Sequence, residues 1–330
     1  MPVRLIDVAE RAGVSIATAS RSLNGTPGVS PEMAARVQQV ATSMGFVANS
    51  HARSLAGGQQ SSIGLVVGAI DDPYFSEIAA AVIAGASATG RAVQIAHADS
   101  PEELVAQIRV FRSYNLGAIV LAGSGSEDPE AEGSVAEELD AFTAGGGRAA
   151  VIGRRSFTAP AVLPRNYEGG RLIGEHLLSL GHRRIAVVAG PAGLTTVADR
   201  LAGLLDALGD AEVTVSHQLF TREGGIEGAR RALDQPVPAT AIAALSDVLA
   251  IGVLGELRSR GIDVPAQMSL TGFDDVSVAA DLAPSLTTVR LDLPAIGAAA
   301  LSLTAALPSS EPAIIEPACT LVVRHSTGSR

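Results

Sequence analysis

A chain of 330 residues that is 47% hydrophobic and 18% charged has room for two or three domains with sizeable cores and is too apolar for general disorder. Its net charge of −10 excludes a uniformly basic nucleic-acid coat, its single Cys319 excludes an internal disulfide framework, and its six histidines (51, 97, 176, 182, 217 and 325) lack metal-ligand spacing, so no metal and no cofactor is expected. No apolar run is long enough to cross a bilayer, and Asp7 and Glu10 interrupt the N-terminal stretch where a signal peptide needs continuous apolar residues, which predicts a cytoplasmic protein with no membrane partner.

Residues 1–58 are the only basic part of the chain: Arg4, Arg11, Arg21, Arg36 and Arg53 against Asp7, Glu10 and Glu32 leave +2 here and −12 elsewhere. Leu5, Val8, Ala9 and Ala12 recur at helical spacing, predicting a first helix closed by Gly13, which can take the left-handed conformation. Ser15 is a natural N-cap for a second helix, in which Ala19 and Leu23 share the buried side while Ala17, Thr18 and Arg21 lie opposite. The same periodicity puts Ile16 on the flank of the buried face. Small outward side chains let a helix seat closely in a groove roughly 12 Å wide, and one arginine among them can reach a guanine edge or a phosphate. Ser30 and Pro31 open a third helix with Met33, Val37, Val40, Ala41 and Met44 on its apolar stripe. Spacing alone leaves a plain helical hairpin as open as a helix-turn-helix. "NSHARSLAGG" (49–58) follows as a short helix capped by Asn49 and stopped by Gly57 and Gly58, too short to persist alone in water, or as a simple linker.

From residue 61 short apolar strands alternate with helical segments: "SIGLVVGAI", "AVQIAHA", "GAIVLAG" and "AAVIG", then "RIAVVAG", "EVTVSHQLF", "TAIAALSD" and "MSLTGFDD". The turn-rich "RRSFTAPAVLPRNYEGG" divides the two series. The pattern predicts two doubly wound lobes of parallel sheet facing a cleft, lined by the loops at the carboxyl ends of the strands. In that cleft Asp274 stands just beyond a strand, where a carboxylate can accept from a ligand diol, and Asp275 caps the following turn as an alternative. Catalytic chemistry is not legible: there is no G-x-S-x-G elbow and no phosphate loop ending in Gly-Lys, and Cys319 falls in a terminal strand where a packed thiol is expected. The glycines of "EGGRLIG" do not fit a dinucleotide fingerprint and are read as helix packing. The chain is therefore not expected to be an enzyme.

"RLIDVAERAGVSIATASRSLNGTPGVSPEMAARVQQVATSMGFVANSHARSLAGG" resembles the DNA-binding head and hinge of the LacI/GalR (lactose-repressor/galactose-repressor) family of transcriptional regulators. "GEHLLSLGHRRIAVVAGP", "DRLAGLLDAL", "SDVLAIGVLGELRSRGIDVPAQMSLTGFDD", "PSLTTVRLD" and "LVVRHST" resemble that family's core. The resemblance implies a small all-α helix-turn-helix head (1–48), a hinge helix and linker (49–60), and an α/β periplasmic-binding-protein-like core (61–330) of two doubly wound parallel-sheet lobes. Lobe one is expected at about 61–158 and 290–317, lobe two at about 161–287 and 319–330, with crossings near 154–165, 286–290 and 318.

The partners so implied are a palindromic double-stranded operator, a second copy of the chain and a small effector, a sugar or sugar derivative rather than a purine, in the interlobe cleft. In the head, Ile16 and Ala17 would read bases, Arg21 would add a major-groove contact, and Ser15, Thr18, Ser20 and Asn24 would hold phosphates. In the hinge, with Asn49 at its start, Ala52 would line the minor groove, Leu55 would insert as an apolar wedge, and His51 and Arg53 would flank them. In the cleft, Arg200 occupies the place of the family's effector arginine and Phe220 that of its stacking aromatic. Tyr74 and Phe75, at a helix start in lobe one, would close over the ligand. Arg154 is a lobe-one donor or an exposed crossover residue. Ser246-Asp247 stands where the family has Asn-Asp, which predicts a roomier pocket there. The alternative, a stand-alone small-solute-binding protein, has no use for residues 1–58.

Overall fold

The computed structural model describes residues 3–24, 26–46, 62–306 and 311–330, in two compact units, 1–61 and 62–330. The expected hinge, with Asn49, His51, Ala52, Arg53 and Leu55, lies outside the described residues.

The first unit contains helices α1 (Leu5–Ala12), α2 (Ile16–Asn24) and α3 (Pro31–Ser43). Each boundary has a local cause. Arg4 N–H donates to the Asp7 carboxylate at the start of α1 (2.7 Å), and Gly13 ends that helix at φ +67°, a conformation glycine adopts without steric cost. Thr18 N–H donates to Ser15 Oγ (3.1 Å) and Met33 N–H to Ser30 Oγ (3.3 Å), so both serines cap as their spacing predicted. Val8, Ala9, Ala12, Ala19, Val37 and Ala41 form the core. Arg36 reaches from α3 to donate to the Ala12 carbonyl (2.5 Å), satisfying one of the acceptors that a helix end leaves open.

The second unit holds two six-stranded sheets. Lobe one orders its strands β2 (Ala92–His97), β1 (Ser62–Val67), β3 (Ala118–Ala122), β4 (Arg148–Ile152), β5 (Ala161–Val162) and β11 (Ile314–Ile315). Lobe two repeats the pattern with β7 (Glu212–His217), β6 (Arg184–Ala189), β8 (Ala241–Ala244), β9 (Ser269–Asp274), β10 (Thr287–Leu291) and β12 (Cys319–Val322). All neighbours are parallel except β10 and β12. Central strands are buried on both faces, whereas the edge strands β2 and β7 are partly exposed, as helix-covered parallel sheets require.

The covering helices in lobe one are α4 (Pro73–Ala88), α5 (Pro101–Ser113) and α6 (Pro129–Ala144); in lobe two they are α7 (Asn166–Ser179), α8 (Thr195–Leu208), α9 (Arg222–Leu233) and α10 (Asp247–Ser259). Helix α11 (Leu293–Ala305) returns to pack on α4 and on β3 and β4.

The lobe limits differ from the sequence expectation at two points. Ala161 and Val162 pair with β4, so lobe one extends beyond 158. Thr287–Arg290 pairs along β9, so the second crossing comes after 291 rather than at 286–290; register with a neighbouring strand decides this, and turn composition does not report it.

Glycines set the helix spacing in lobe two. A methyl on Gly170 would overlap the Arg200 carbonyl and one on Gly203 the Tyr167 carbonyl, so α7 and α8 touch backbone to backbone. The "EGGRLIG" glycines are packing residues, as read.

The final residues are held to lobe two by imidazoles. His182, 2% exposed, bonds Thr240 Oγ1 (2.8 Å), Ser269 Oγ (3.0 Å) and the Gly328 carbonyl (3.1 Å), and His176 Nε2 meets Thr327 Oγ1 (3.0 Å). Since a carbonyl only accepts, Nε2 of His182 carries the proton. Burial holds both imidazoles below the ordinary 6.5. The unfolded chain therefore binds these protons at higher pH than the folded one, and the histidines' contribution, present above 6.5, is lost as pH falls through the folded pKa values. His182→Gln should flatten the fall in the denaturation midpoint between about pH 7.5 and pH 5.5; an unchanged slope would assign that fall to carboxylates instead.

Candidate functional site

In the first unit the outward side of α2 is small and open. Ala17 and Arg21 are exposed, Thr18 and Ser20 half-buried and Ala19 fully buried. Ile16 is 49% exposed, which corrects the flank position read from periodicity: in the first turn no preceding turn covers the side chain, and it leans outward. Ser22, which the pattern did not single out, is buried and donates to the Thr18 carbonyl (2.8 Å). Ser15 spends its hydroxyl oxygen on the cap and on Thr18 Oγ1 (2.9 Å). The side chain of Asn24 lies outside the described residues.

In the second unit a cavity of about 530 Å³ opens at the carboxyl ends of both sheets, within the range of small-molecule sites. Lobe one contributes Asp72, Tyr74, Phe75, Ser124 and Arg155; lobe two contributes Asn166, Thr196, Arg200, Phe220, Ser246 and Asp274. Tyr74 and Phe75 stand edge to face, 5.0 Å between ring centroids, and Phe220 lies over Gly190, where a methyl would strike its ring.

Arg200 is the most constrained group. Its Nε donates to Asn166 Oδ1 (2.9 Å), Nη1 to the Leu245 carbonyl (2.6 Å) and Nη2 to Asp274 Oδ1 (2.7 Å), while the guanidinium sits 3.8 Å from the Phe273 ring centroid. Asp274 is held at φ +109° and Asp275 at +54°, backbone that costs on the order of 1–3 kcal/mol each for residues with a Cβ. Asp275 endures it because Arg290 and Arg324 both clasp its carboxylate (2.6 Å each), and the bend aims Asp274 at the cavity. Burial raises the Asp274 carboxyl to about 7, with Arg200 opposing the shift and Asp72 adding to it. Burial likewise raises Asp72 and the Tyr74 phenol.

Two expectations are corrected. Asp247 does not line the cavity: wholly buried, it accepts from Thr288 Oγ1 (2.7 Å) and Val276 N–H (2.9 Å), tying the loop after β9 to β10. Arg154 does not line it either; it pairs with Asp199 of lobe two (2.7 Å) at the rim, and the cavity-facing arginine is Arg155, bonded to the buried Glu132 (3.0 Å). Ser246 lines the wall but uses its hydroxyl oxygen to cap α10 at Leu249 N–H (3.3 Å).

Residues missed by sequence reasoning are Asn166, which orients Arg200; Ser124; Arg155 with Glu132; and Asp72, for which the helix-start signal Asp-Pro in "DDPYF" was available. The lobes are stitched beside the cavity. Thr195 N–H donates to the Gly125 carbonyl (3.0 Å), Glu127 N–H to Gly193 (2.8 Å), Thr196 N–H to Ser124 Oγ (2.9 Å) and Ser277 N–H to Glu77 Oε1 (2.9 Å).

A profile for bacterial regulatory proteins of the lacI family matches residues 4–49, and one for a periplasmic binding protein-like domain matches residues 175–327. The HTH-type transcriptional regulator DegA of Bacillus subtilis (strain 168) is 33% identical, covering 99% of this chain and 98% of its own length. Among solved structures, the lac repressor dimer bound to operator and the anti-inducer ONPF superposes with a TM-score of 0.84 at 24% identity over the whole of both chains, a likeness of fold. The transcriptional regulator CelR–cellobiose complex superposes with a TM-score of 0.72 at 27% identity, covering 98% of this chain and 99% of that one.

Proposed function

Because the chain belongs to the LacI family of bacterial transcriptional regulators, we propose that it works as a homodimer on a palindromic operator, under the control of a small polyhydroxylated effector held between its lobes. It regulates transcription and is not an enzyme. The observation that carries the reading is the pairing, in one chain, of an open α2 face bearing a single arginine with a cavity at two sheet ends, lined by aromatic side chains and a few convergent polar ones. On this reading the cellobiose of the CelR complex points to a sugar as the class of effector. Among the described residues no helix is long and apolar enough to cross a membrane, which agrees with a site of action in the cytoplasm.

Ala17 and Ile16 seat α2 against base edges, and Arg21 reaches a guanine edge. Ser15, Thr18, Ser20 and Asn24 face the phosphates. The hinge, residues 49–58, pairs with its counterpart from a second copy in the minor groove. Effector binding shifts the lobes against each other and so changes whether the two hinges can pair, a coupling of typically 1–3 kcal/mol that must be reciprocal. Titrating sugars against the protein with and without operator DNA tests the whole scheme: every cavity ligand binding equally well in both would leave two uncoupled modules.

Arg21→Ala is expected to cost about 1–3 kcal/mol of operator affinity and to relax base preference at one half-site position, as loss of a bidentate base contact does. Equal losses on operator and random DNA would instead make Arg21 a phosphate contact.

A further inference from the structure

The charges around the cavity cancel in pairs and leave a remainder. Of the guanidiniums, Arg155 is met by Glu132 (3.0 Å) and Arg200 by Asp274 (2.7 Å). Asp71 and Asp72 also line the wall, and no cation among the described residues pairs with either. Arg200 is not free to turn to an incoming anion. Three of its donors are fixed on Asn166, Leu245 and Asp274, and drawing it away would strand a buried carboxylate.

Resting on the effector-controlled reading above, we propose that Asp72, on lobe one, is a ligand-recognition residue. With Asp274 across the cavity it admits an uncharged, hydroxyl-bearing ligand and refuses the phosphorylated or carboxylated forms of the same compound.

The two carboxylates are placed for this. Asp72 spends Oδ1 on Tyr74 N–H (3.0 Å) as the N-cap of α4, and Oδ2 bonds no described group. Asp274 spends Oδ1 on Arg200 and keeps Oδ2 for the cavity. Both residues line the same cavity, Asp72 from lobe one and Asp274 from lobe two. Ionised, Asp72 only accepts, and Asp274 does the same above its raised value of about 7, so the ligand must bring donors, and a sugar hydroxyl supplies one without adding charge. Phe75 and Phe220 offer the flanking walls an apolar ring face needs. A phosphate or carboxylate group would enter a partly desolvated space with an excess of like charge, in which each guanidinium among the described lining residues is already paired with a carboxylate, and where repulsion is screened less than in bulk water.

The test uses the full chain and matched pairs: galactose with galactose 1-phosphate, ribose with ribose 5-phosphate, cellobiose with cellobionate, each titrated calorimetrically. The neutral member of at least one pair should bind about tenfold or more tighter than its anionic partner, and the gap should narrow at about 1 M salt. Asp72→Asn keeps a capping side chain, since Asn caps as well as Asp, so the fold and operator binding should persist while the neutral ligand weakens about tenfold and the gap between partners shrinks. An anionic member that binds as well as its neutral partner, an Asp72→Asn protein with unaltered affinity and discrimination, or failure of every neutral sugar to bind would each overturn the proposal. Operator binding is read separately on the same samples: its absence from the parent protein would count against the regulator scheme, whatever the sugars do.

Discussion

Gly203→Ala is expected to destabilise the protein by about 2–3 kcal/mol net, at the upper end of what overpacking costs, and to abolish cavity binding with it. Gly203 lies in the middle of α8, where an added methyl would overlap the Tyr167 carbonyl and crowd Arg171 N. A side chain in that position could rotate aside; a backbone carbonyl already engaged in α7 cannot. The two helices must separate, and the strain exceeds the roughly 1 kcal/mol of helix propensity that alanine brings. The damage reaches the cavity because Arg200 is one turn before Gly203 and Asn166 directly precedes Tyr167. Parting the helices pulls apart the 2.9 Å bond that orients the guanidinium. Gly133→Ala and Gly255→Ala supply the contrast. Both lie on exposed helix faces with nothing within 4 Å of the new methyl, so each should leave binding intact and stabilise by up to about 1 kcal/mol. Chemical denaturation of the full chain, followed by circular dichroism, checks all three. A Gly203→Ala protein within error of the parent would mean that α7 and α8 can slide.

How much of this was legible in the sequence depends on how far apart the deciding residues are. Gly13, Ser15, Ser30 and Pro31 act within one turn of chain, and the head follows from them. The alternation of strands and helices likewise yields the two lobes, because burial on both faces of a parallel sheet writes continuous apolar runs. The misplacements concern contacts between distant segments. Which of the adjacent arginines after β4 turns inward depends on Gly153, at φ +102°, which reverses the facing of the residues that follow. Asp247 looks like a cavity ligand in "SD" after a strand. It is buried because Gly272, on the neighbouring strand, leaves room for its carboxylate where a methyl would collide with Oδ1. Asn166 stands at an undistinguished helix start, and only its meeting with α8 gives it a role.

Arg200→Leu is expected to eliminate ligand binding and to cost about 3–5 kcal/mol near neutral pH, the usual consequence of removing one member of a buried pair. The cost should depend on pH in a sense that can be worked out. Burial lifts the Asp274 carboxyl from 3.8 to about 7 in the folded chain, and Arg200 is the first influence holding it down. A raised acid of this kind contributes stability that is fully present below 3.8 and is lost as pH rises through the folded value of about 7. Without Arg200 the folded value climbs further, so the loss continues above 7 where the parent's has ended. Below about pH 6 the carboxyl in the variant is neutral, and the deficit reduces to the Asn166 and Leu245 acceptors left without a donor, roughly 1–3 kcal/mol. The gap in unfolding free energy between parent and variant should therefore widen between about pH 6 and pH 8. Adding Asp274→Asn to Arg200→Leu removes the ionising group and should flatten that dependence without restoring binding, since the guanidinium is still missing. A gap that stays constant over the interval would mean that Asp274 does not titrate there, and that the wall opposite Asp72 carries its full negative charge at every physiological pH.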